Sequence, residues 1–162
     1  MIKLDRYDLK ILQILQSQGR ISKVRLAEAV GLSTSPTWER LKRLEEAGII
    51  TGYHADIDAK KLAPATTVVV EVTLAQHQAA DFERFEAAVG AIPEIVECLA
   101  TGGGVDYVMK VVCANVDAYQ RLIDRMLAED LGIERYFSYV VTKPVKQASG
   151  VPLDVLNGGT EA

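Results

Sequence analysis

The chain has 162 residues, of which 49% are hydrophobic and 25% are charged. This balance excludes a wholly disordered chain, a collagen and a coiled-coil rod. No apolar run approaches the roughly 18 residues that a membrane helix needs. The first residues, MIKLDR, are charged from the start and lack the apolar segment of a secretory signal, so we expect a cytoplasmic protein.

Charge is distributed unevenly along the chain. The net charge is -4, yet residues 1–50 hold 9 Lys and Arg against 6 Asp and Glu, which leaves the remainder acidic. A basic first third joined to an acidic remainder indicates that only the first third faces a polyanion.

Residues 1–50 predict three short helices. Polar caps and glycine stops mark their ends, at Asp5 and Gly19, at Ser22 and Gly31, and at Ser33 and Gly48. The helical period places a set of apolar positions inward: Leu9, Ile11, Leu12 and Leu15, then Val24, Leu26, Ala27 and Val30, then Thr37, Leu41 and Leu44. Three helices of this size form a compact helical unit.

The rest of the chain predicts a ferredoxin-like βαββαβ domain, which makes the fold class α+β. The predicted elements are Thr66–Leu74, Asp81–Val89, Ile95–Thr101, Asp106–Val112, Val116–Leu127 and Glu134–Thr142. The expected inward residues of the helices are Phe82, Phe85 and Val89, then Tyr119, Leu122, Ile123, Met126 and Leu127. The domain boundaries are 1–50, a linker at 51–65, the ferredoxin-like domain at 66–147 and a loosely held tail at 148–162. Helices cover one face of this sheet. Apolar residues on the other face, at Val69 and within Tyr136–Val141, favour a subunit interface over a merely exposed sheet.

The second and third helices, residues 23–42, have the helix-turn-helix layout. The outer face of the third helix carries hydroxyls at its start and bases toward its end, which is typical of a recognition helix in the major groove. The candidate DNA contacts are Ser33, Thr34, Ser35, Trp38, Lys42 and Arg43. Trp38 is equally well interpreted as a partly buried packing residue. Arg40 lies nearer the core, and we expect an internal ion pair with Glu45 or Asp5.

Four stretches resemble the leucine-responsive regulatory protein/asparagine synthase C regulator (Lrp/AsnC) family of transcription factors. They are LDRYDLKILQILQSQGRIS, LAEAVGLSTSPTWERLKRLEEAGIITGY, VDYVMKV and YVVTKPVKQ, in family order from about residue 4 to residue 147. The resemblance implies DNA binding by the N-terminal domain and an amino acid or related effector bound between C-terminal domains. It also implies dimers built through the C-terminal sheets, commonly assembled into octamers.

One segment departs from the family pattern. The family commonly has Gly-Asp-aromatic-Asp-Tyr after the second strand of the regulatory domain, whereas this chain has Gly103-Gly104-Val105-Asp106-Tyr107. The candidate effector site is the loop Thr101, Gly102, Gly103, Gly104, Val105 and Asp106. Its backbone amides can receive a carboxylate and Asp106 an ammonium group. The alternative is a tight hairpin turn that binds no ligand.

Other function classes find less support in the sequence. The two histidines, His54 and His77, are isolated, and no metal spacing, catalytic triad or cofactor motif is present, so we expect no enzyme, metal or cofactor. Cys98 and Cys113 are interpreted as reduced buried thiols. A siroheme-decarboxylase-like enzyme of the same fold and an architectural DNA-binding protein remain as alternatives. A basic, hydroxyl-rich third helix disfavours the first, and a local charge of only +3 disfavours the second.

Overall fold

The computed structural model describes residues 3–146 and 150–156, and the chain forms two compact units. One unit comprises Met1–Asp56 with Lys146–Ala162, and the other comprises Ile57–Val145. The helical unit contains α1 (Arg6–Ser17), α2 (Lys23–Val30), α3 (Thr34–Glu46) and, in the C-terminal segment, α7 (Leu153–Leu156). The second unit contains α4 (Ala59–Leu62), β1 (Thr66–Leu74), α5 (Ala79–Gly90), β2 (Ile95–Ala100), β3 (Tyr107–Cys113), α6 (Val116–Ala128) and β4 (Ile133–Val140).

Local capping chemistry defines the predicted helices of the first unit. Asp5 caps α1 by accepting from the amides of Tyr7 and Asp8, and the Asp8 carboxylate accepts from the Asp5 amide in return. Ser22 caps α2 by accepting from the Arg25 amide. The turn after α2 needs a left-handed residue, which Gly31 supplies with φ 85°.

The core of the helical unit contains most of the expected residues. Its buried members are Ile11, Leu12, Leu26, Val30, Leu41 and Leu44. Two expectations for this unit are wrong. Val24 is 56% exposed because it lies on the solvent side of α2. Ser33 precedes α3 in the cap position, but its side chain makes no capping hydrogen bond.

The segments outside the predicted elements also differ from expectation. The linker contains the short helix α4 in place of the expected extended chain. The tail was expected to be loosely held, but Leu153 of α7 packs against the core of the helical unit, and the Val151 amide donates to Gln16 Oε1. Residues 148, 149 and 157–162 of that tail lie outside the described residues.

The second unit has the predicted ferredoxin-like topology. Its four strands lie in the order β2-β3-β1-β4, and every neighbouring pair is antiparallel. Helices α5 and α6 cover one face of the sheet, where the buried core includes Val68, Val70, Val72 and Leu74 of β1, Phe85 and Val89 of α5, and Tyr119, Leu122, Ile123 and Met126 of α6. Leu127 was expected to face inward, but it is 44% exposed because α6 turns it toward solvent.

Within the second unit, α5 and α6 leave the opposite face of the sheet uncovered. Val69 pairs with Tyr139 and Glu71 pairs with Phe137 across β1 and β4. Phe137 and Tyr139 are about half exposed, at 47% and 50%. Side chains alternate across a strand, so Tyr136 packs into the core while its neighbour Phe137 points away from it. The predicted apolar, uncovered face is therefore present within this unit.

Candidate nucleic-acid interface and ligand-binding loop

The start of α3 presents a row of unused hydroxyl groups. Ser33, Thr34 and Ser35 are all exposed, and their hydroxyls make no hydrogen bond with any residue that the structure describes. Thr37 lies one turn further and is buried, and its hydroxyl donates to the Ser33 carbonyl at 2.9 Å. The exposed hydroxyls are thus free to bond base edges or phosphate oxygens.

A buried carboxylate joins α1 to α3. Asp8 is 0% exposed, and its two oxygens accept from Arg40 Nη1 at 2.8 Å and from Arg43 Nη2 at 2.7 Å. Arg40 also contacts Asp5 at 2.7 Å, which confirms the expected internal ion pair with Glu45 or Asp5. Glu45, the alternative partner, accepts instead from the Tyr53 hydroxyl at 2.8 Å.

This cluster shifts the titration of its exposed member. Burial by itself would raise the pKa of Asp5, but hydrogen bonds from the Asp8 and Tyr7 amides and from the Arg40 guanidinium outweigh it, and the pKa is lowered. The lowered pKa favours the ionised form of Asp5, which is the form that pairs with Arg40. The cluster ties α1 to α3 through the contacts of Asp8 with Arg40 and Arg43.

The two bases predicted to contact phosphate differ in their surroundings. Lys42 forms an exposed pair with Glu46 at 3.4 Å, one helical turn away. Arg43 is half exposed, but it is held by the Asp8 carboxylate and is not a freely moving charge. Trp38 is 38% exposed, and the ammonium of Lys23 lies 3.1 Å from the centre of its ring. Trp38 is therefore partly exposed, with the Lys23 ammonium against its ring.

The candidate effector loop connects β2 to β3 at one end of the sheet. The Thr101 amide donates to the Asp106 carbonyl at 2.8 Å, and the Thr101 hydroxyl donates to the Val105 carbonyl at 2.6 Å. Gly102, Gly103 and Gly104 are exposed, and a Cβ built on any of them would meet nothing within 4 Å. None of the three has a positive φ, so their backbone does not require glycine.

Asp106 fastens this loop to the end of β1. One carboxylate oxygen accepts from the Leu74 amide at 2.7 Å, and the Asp106 amide donates to the Val72 carbonyl at 2.9 Å. His77 Nε2 lies 3.1 Å from both carboxylate oxygens. The Asp106 carboxylate, which was predicted to bind a ligand's ammonium group, is therefore already in contact with His77 Nε2.

Tyr107, the next residue of the family motif, is the first residue of β3 and is buried. Its ring packs on Phe85 with centroids 4.6 Å apart, and its hydroxyl donates to Glu86 at 2.8 Å. Burial, followed by the Glu86 contacts, raises the pKa of Tyr107. Its role is to hold α5 against the sheet beside the loop.

Three residues of these two sites are not among those predicted from the sequence: Asp8, Lys23 and His77. The capping-box spacing of Asp5 and Asp8 was available as a signal for the first. The other two contacts join residues 15 and 29 positions apart, and no local pattern predicts such pairs.

The cysteines, possible metal-binding groups and helix lengths of the described residues bear on other classes of function. Cys98 and Cys113 are free thiols, and burial raises the pKa of both. Among residues 3–146 and 150–156, no group of three or more His, Cys, Asp or Glu side chains is arranged to hold a metal ion. No helix in that part of the chain is long and apolar enough to cross a membrane.

Comparison with known families gives two matches. The Lrp/AsnC ligand binding domain matches residues 67–151, and a winged helix-turn-helix DNA-binding domain matches residues 4–51. Among the described residues, no strand lies between α3 and β1.

Several curated proteins are similar over nearly the whole chain. The chain is 56% identical over 148 residues to the transcriptional regulatory protein DoeX of Halomonas elongata, covering 91% of this chain and 94% of that protein. It is 40% identical over 146 residues to the leucine-responsive regulatory protein of Haemophilus influenzae, covering 90% and 88%.

Solved structures of other regulators match nearly the whole chain. A transcriptional regulator from Neisseria meningitidis, crystallised in complex with L-Met, matches with a TM-score of 0.89 at 33% identity over 95% of this chain and 99% of that one. An AsnC family regulator from Agrobacterium tumefaciens matches with a TM-score of 0.89 at 36% identity, over 94% and 99%. The chain belongs to the Lrp/AsnC family, and it is a transcriptional regulator with a DNA-binding helix-turn-helix domain and a ligand-binding domain.

Proposed function

We propose that this regulator reads pseudo-palindromic duplex DNA with α3 and is controlled by an amino acid or related small metabolite bound at the loop from Thr101 to Asp106. The observation that carries the effector assignment is the open backbone of three consecutive glycines, in a domain of the ligand-binding family. The related Neisseria protein was crystallised with L-Met, which supports an amino acid as the class of ligand.

On the DNA side, hydroxyls and bases have different tasks. The free hydroxyls of Ser33, Thr34 and Ser35 reach base edges or phosphates from the first turn of α3, where a recognition helix enters the major groove. Lys42 and Arg43 neutralise phosphates, and Asp8 holds Arg43 in one orientation. Trp38 belongs to the same surface, where the Lys23 ammonium contacts its ring.

The DNA assignment is tested by comparing two kinds of substitution. A Lys42→Ala/Arg43→Ala variant should weaken binding to all duplex sequences and flatten the dependence of affinity on salt, since phosphate contacts release counterions. Ser35→Ala should instead change sequence preference in a selection from a random duplex library. Unchanged affinity and salt slope in the double variant would remove this face of α3 from the interface.

The effector is recognised by its two charged ends. Its carboxylate meets backbone amides of Gly102, Gly103 and Gly104, where no side chain obstructs it. Its ammonium pairs with Asp106 by taking the place of His77 Nε2, which lies 3.1 Å from that carboxylate. The contact with the His77 ring nitrogen supports a carboxylate that is positioned to accept a hydrogen bond from a ligand nitrogen.

Titration calorimetry of the full-length protein with the twenty amino acids tests the effector site. Asp106→Asn retains an oxygen for the Leu74 amide but loses the negative charge, so it should weaken binding of the wild-type effector at least tenfold without unfolding the domain. His77→Ala serves as the matched control, since it leaves the carboxylate in place and should bind at least as tightly. Unchanged affinity in Asp106→Asn would place the pocket elsewhere and leave the loop as a turn.

We also propose that the open sheet face forms the subunit interface of a homodimer that assembles further, as an octamer. Phe137, Tyr139 and Val69 lie together on that face, with the two aromatic residues about half exposed. Phe137→Asp should lower the mass measured by light scattering at micromolar concentration. Val116→Asp, at an exposed position on the helical side of the domain, should not. A monomeric wild-type protein would contradict the proposal.

We propose a regulator without enzymatic activity, acting in the cytoplasm on duplex DNA. The relatives named above are transcriptional regulators, which supports this over a siroheme decarboxylase of the same fold. An absorbance change after addition of a tetrapyrrole would overturn it. An architectural protein would bind a selected operator and a scrambled duplex equally well, whereas a regulator should prefer the operator by at least 10³.

A further inference from the structure

We propose that Lys23, at the start of α2, contacts a backbone phosphate of bound DNA, and that Trp38 acts by holding the Lys23 ammonium in place. This inference rests on the DNA-binding function of the helix-turn-helix domain. It assigns a phosphate contact to a residue outside α3 and changes the role of Trp38 from a DNA contact to a positioning residue.

The first support is the close contact between the two side chains. The Lys23 ammonium lies 3.1 Å from the centroid of the Trp38 ring, on the face of the indole. A lysine side chain ordinarily samples many rotamers, and a cation over an aromatic face is held by the ring quadrupole. The contact therefore places a positive charge beside the first half of α3, where a recognition helix meets DNA.

The second support is that no carboxylate neutralises this charge. Lys42 is paired with Glu46 at 3.4 Å and Arg43 with Asp8 at 2.7 Å. Within residues 3–146 and 150–156, by contrast, Lys23 has no carboxylate partner within 4.0 Å. Since an aromatic ring leaves the net charge intact, Lys23 is better placed than Arg43 to attract a phosphate.

The third support is the position of Lys23 in its helix. It is the first residue of α2, and the Ser22 side chain occupies the amide of Arg25. The amides of Lys23 and Val24 are the remaining outward N–H groups of the first turn. An ammonium beside such amides favours an oxyanion, and the first helix of a helix-turn-helix crosses the DNA backbone.

The geometry also limits what Trp38 can do by itself. Lys23 covers one face of its ring, and the residue as a whole is only 38% exposed. That face is not available to stack on a sugar or on a thymine methyl group. Trp38 therefore influences DNA affinity through the placement of Lys23.

The experiment measures binding of the full-length protein to a mixed-sequence duplex, long enough for two half-sites one helical turn apart, over a series of salt concentrations. Lys23→Ala should reduce the slope of log affinity against log salt by about 0.9 for each subunit that binds. Trp38→Phe keeps an aromatic face and should retain most of the wild-type slope. Trp38→Leu keeps apolar volume without that face, and should lose part of the slope and of the affinity.

Two further variants make the test decisive. Lys61→Ala removes one exposed positive charge outside the helical unit and should leave the slope unchanged. The Lys23→Ala/Trp38→Leu double variant should bind no more weakly than Lys23→Ala, since the two residues act as one unit. Circular dichroism checks that each variant folds.

An unchanged slope in Lys23→Ala would overturn the phosphate contact. Additive losses in the double variant would overturn the positioning role and give Trp38 a contact of its own. The parent function fails separately, because in that case the wild-type protein would not bind duplex DNA at any salt concentration tested. The only tryptophan of the chain adds a direct readout, since its emission should change on DNA binding in the wild type and change less in Lys23→Ala.

Discussion

Replacing Asp8 with alanine should destabilise the helical unit more than any surface substitution in it. The Asp8 side chain is 1% exposed, and it accepts from Arg40, from Arg43 and from the Asp5 amide. The substitution removes half of a capping box and a carboxylate that touches both arginines. It leaves two guanidinium groups facing a small apolar side chain.

The magnitude follows from the exposure of the partners. Removing one member of a fully buried ion pair costs about 3–5 kcal/mol, because the other charge stays buried and unpaired. Here Arg40 is 26% exposed and keeps Asp5, and Arg43 is 49% exposed, so both can regain water. We therefore expect Asp8→Ala to lower the free energy of unfolding of this unit by about 2–3 kcal/mol.

Urea unfolding monitored by Trp38 fluorescence isolates the effect, since this single tryptophan lies in the helical unit. With a typical urea slope for a small domain of about 1–1.5 kcal/mol per molar, the midpoint should fall by about 2 M. Glu46→Ala is the control, because it breaks only the exposed pair with Lys42 and should cost less than about 0.5 kcal/mol. If Asp8→Ala shifts the midpoint no more than Glu46→Ala, the buried carboxylate does not stabilise the contact between α1 and α3.

Two other consequences of the structure can be measured in the same way. Burial, together with the hydrogen bond to Glu45, raises the pKa of Tyr53 to about 12. The protonated Tyr53 hydroxyl therefore stabilises the folded state fully below the ordinary tyrosine pKa, and this stabilisation is lost as pH rises through about 12. The difference in unfolding midpoint between wild type and Tyr53→Phe should shrink between about pH 10 and pH 12, and a constant difference would refute this. Gly31→Ala forces a φ of 85° on an L-residue with no neighbour within 4 Å of the new Cβ, so strain alone should cost about 1 kcal/mol in urea unfolding; a neutral result would contradict that origin.

The fold was accessible from the sequence because its signals are local. The alternation Val68, Val70, Val72 and Leu74 predicted β1 with its bounds, and the cap at Ser22 and the stop at Gly31 predicted α2. The errors at Val24 and Leu127 share one cause. Both lie at the border of an apolar stripe, where the helical period alone does not decide which side faces solvent.

The candidate sites were less accessible because their key contacts are long-range. Arg43 looks like a free base in the sequence, but tertiary packing brings the Asp8 carboxylate against it from 35 positions away. Asp106 looks like a free acid, but the sheet places its oxygens against the Leu74 amide and His77. Composition and periodicity find the residue types at a surface, whereas only the folded chain shows which of them are already engaged.

The attachment of the candidate effector loop separates ligand choice from folding stability. Its ends are held by backbone groups, by the Thr101 hydroxyl and by the Asp106 carboxylate. A Cβ on any of the three glycines between them would meet nothing within 4 Å, and none of the three has a positive φ. Substitutions at Gly102, Gly103 or Gly104 can therefore add a charge or an apolar group to the loop at little cost to the domain. Under the proposed effector assignment, a lineage carrying this scaffold would change the metabolite it senses through single mutations, without first gaining stability elsewhere to tolerate them.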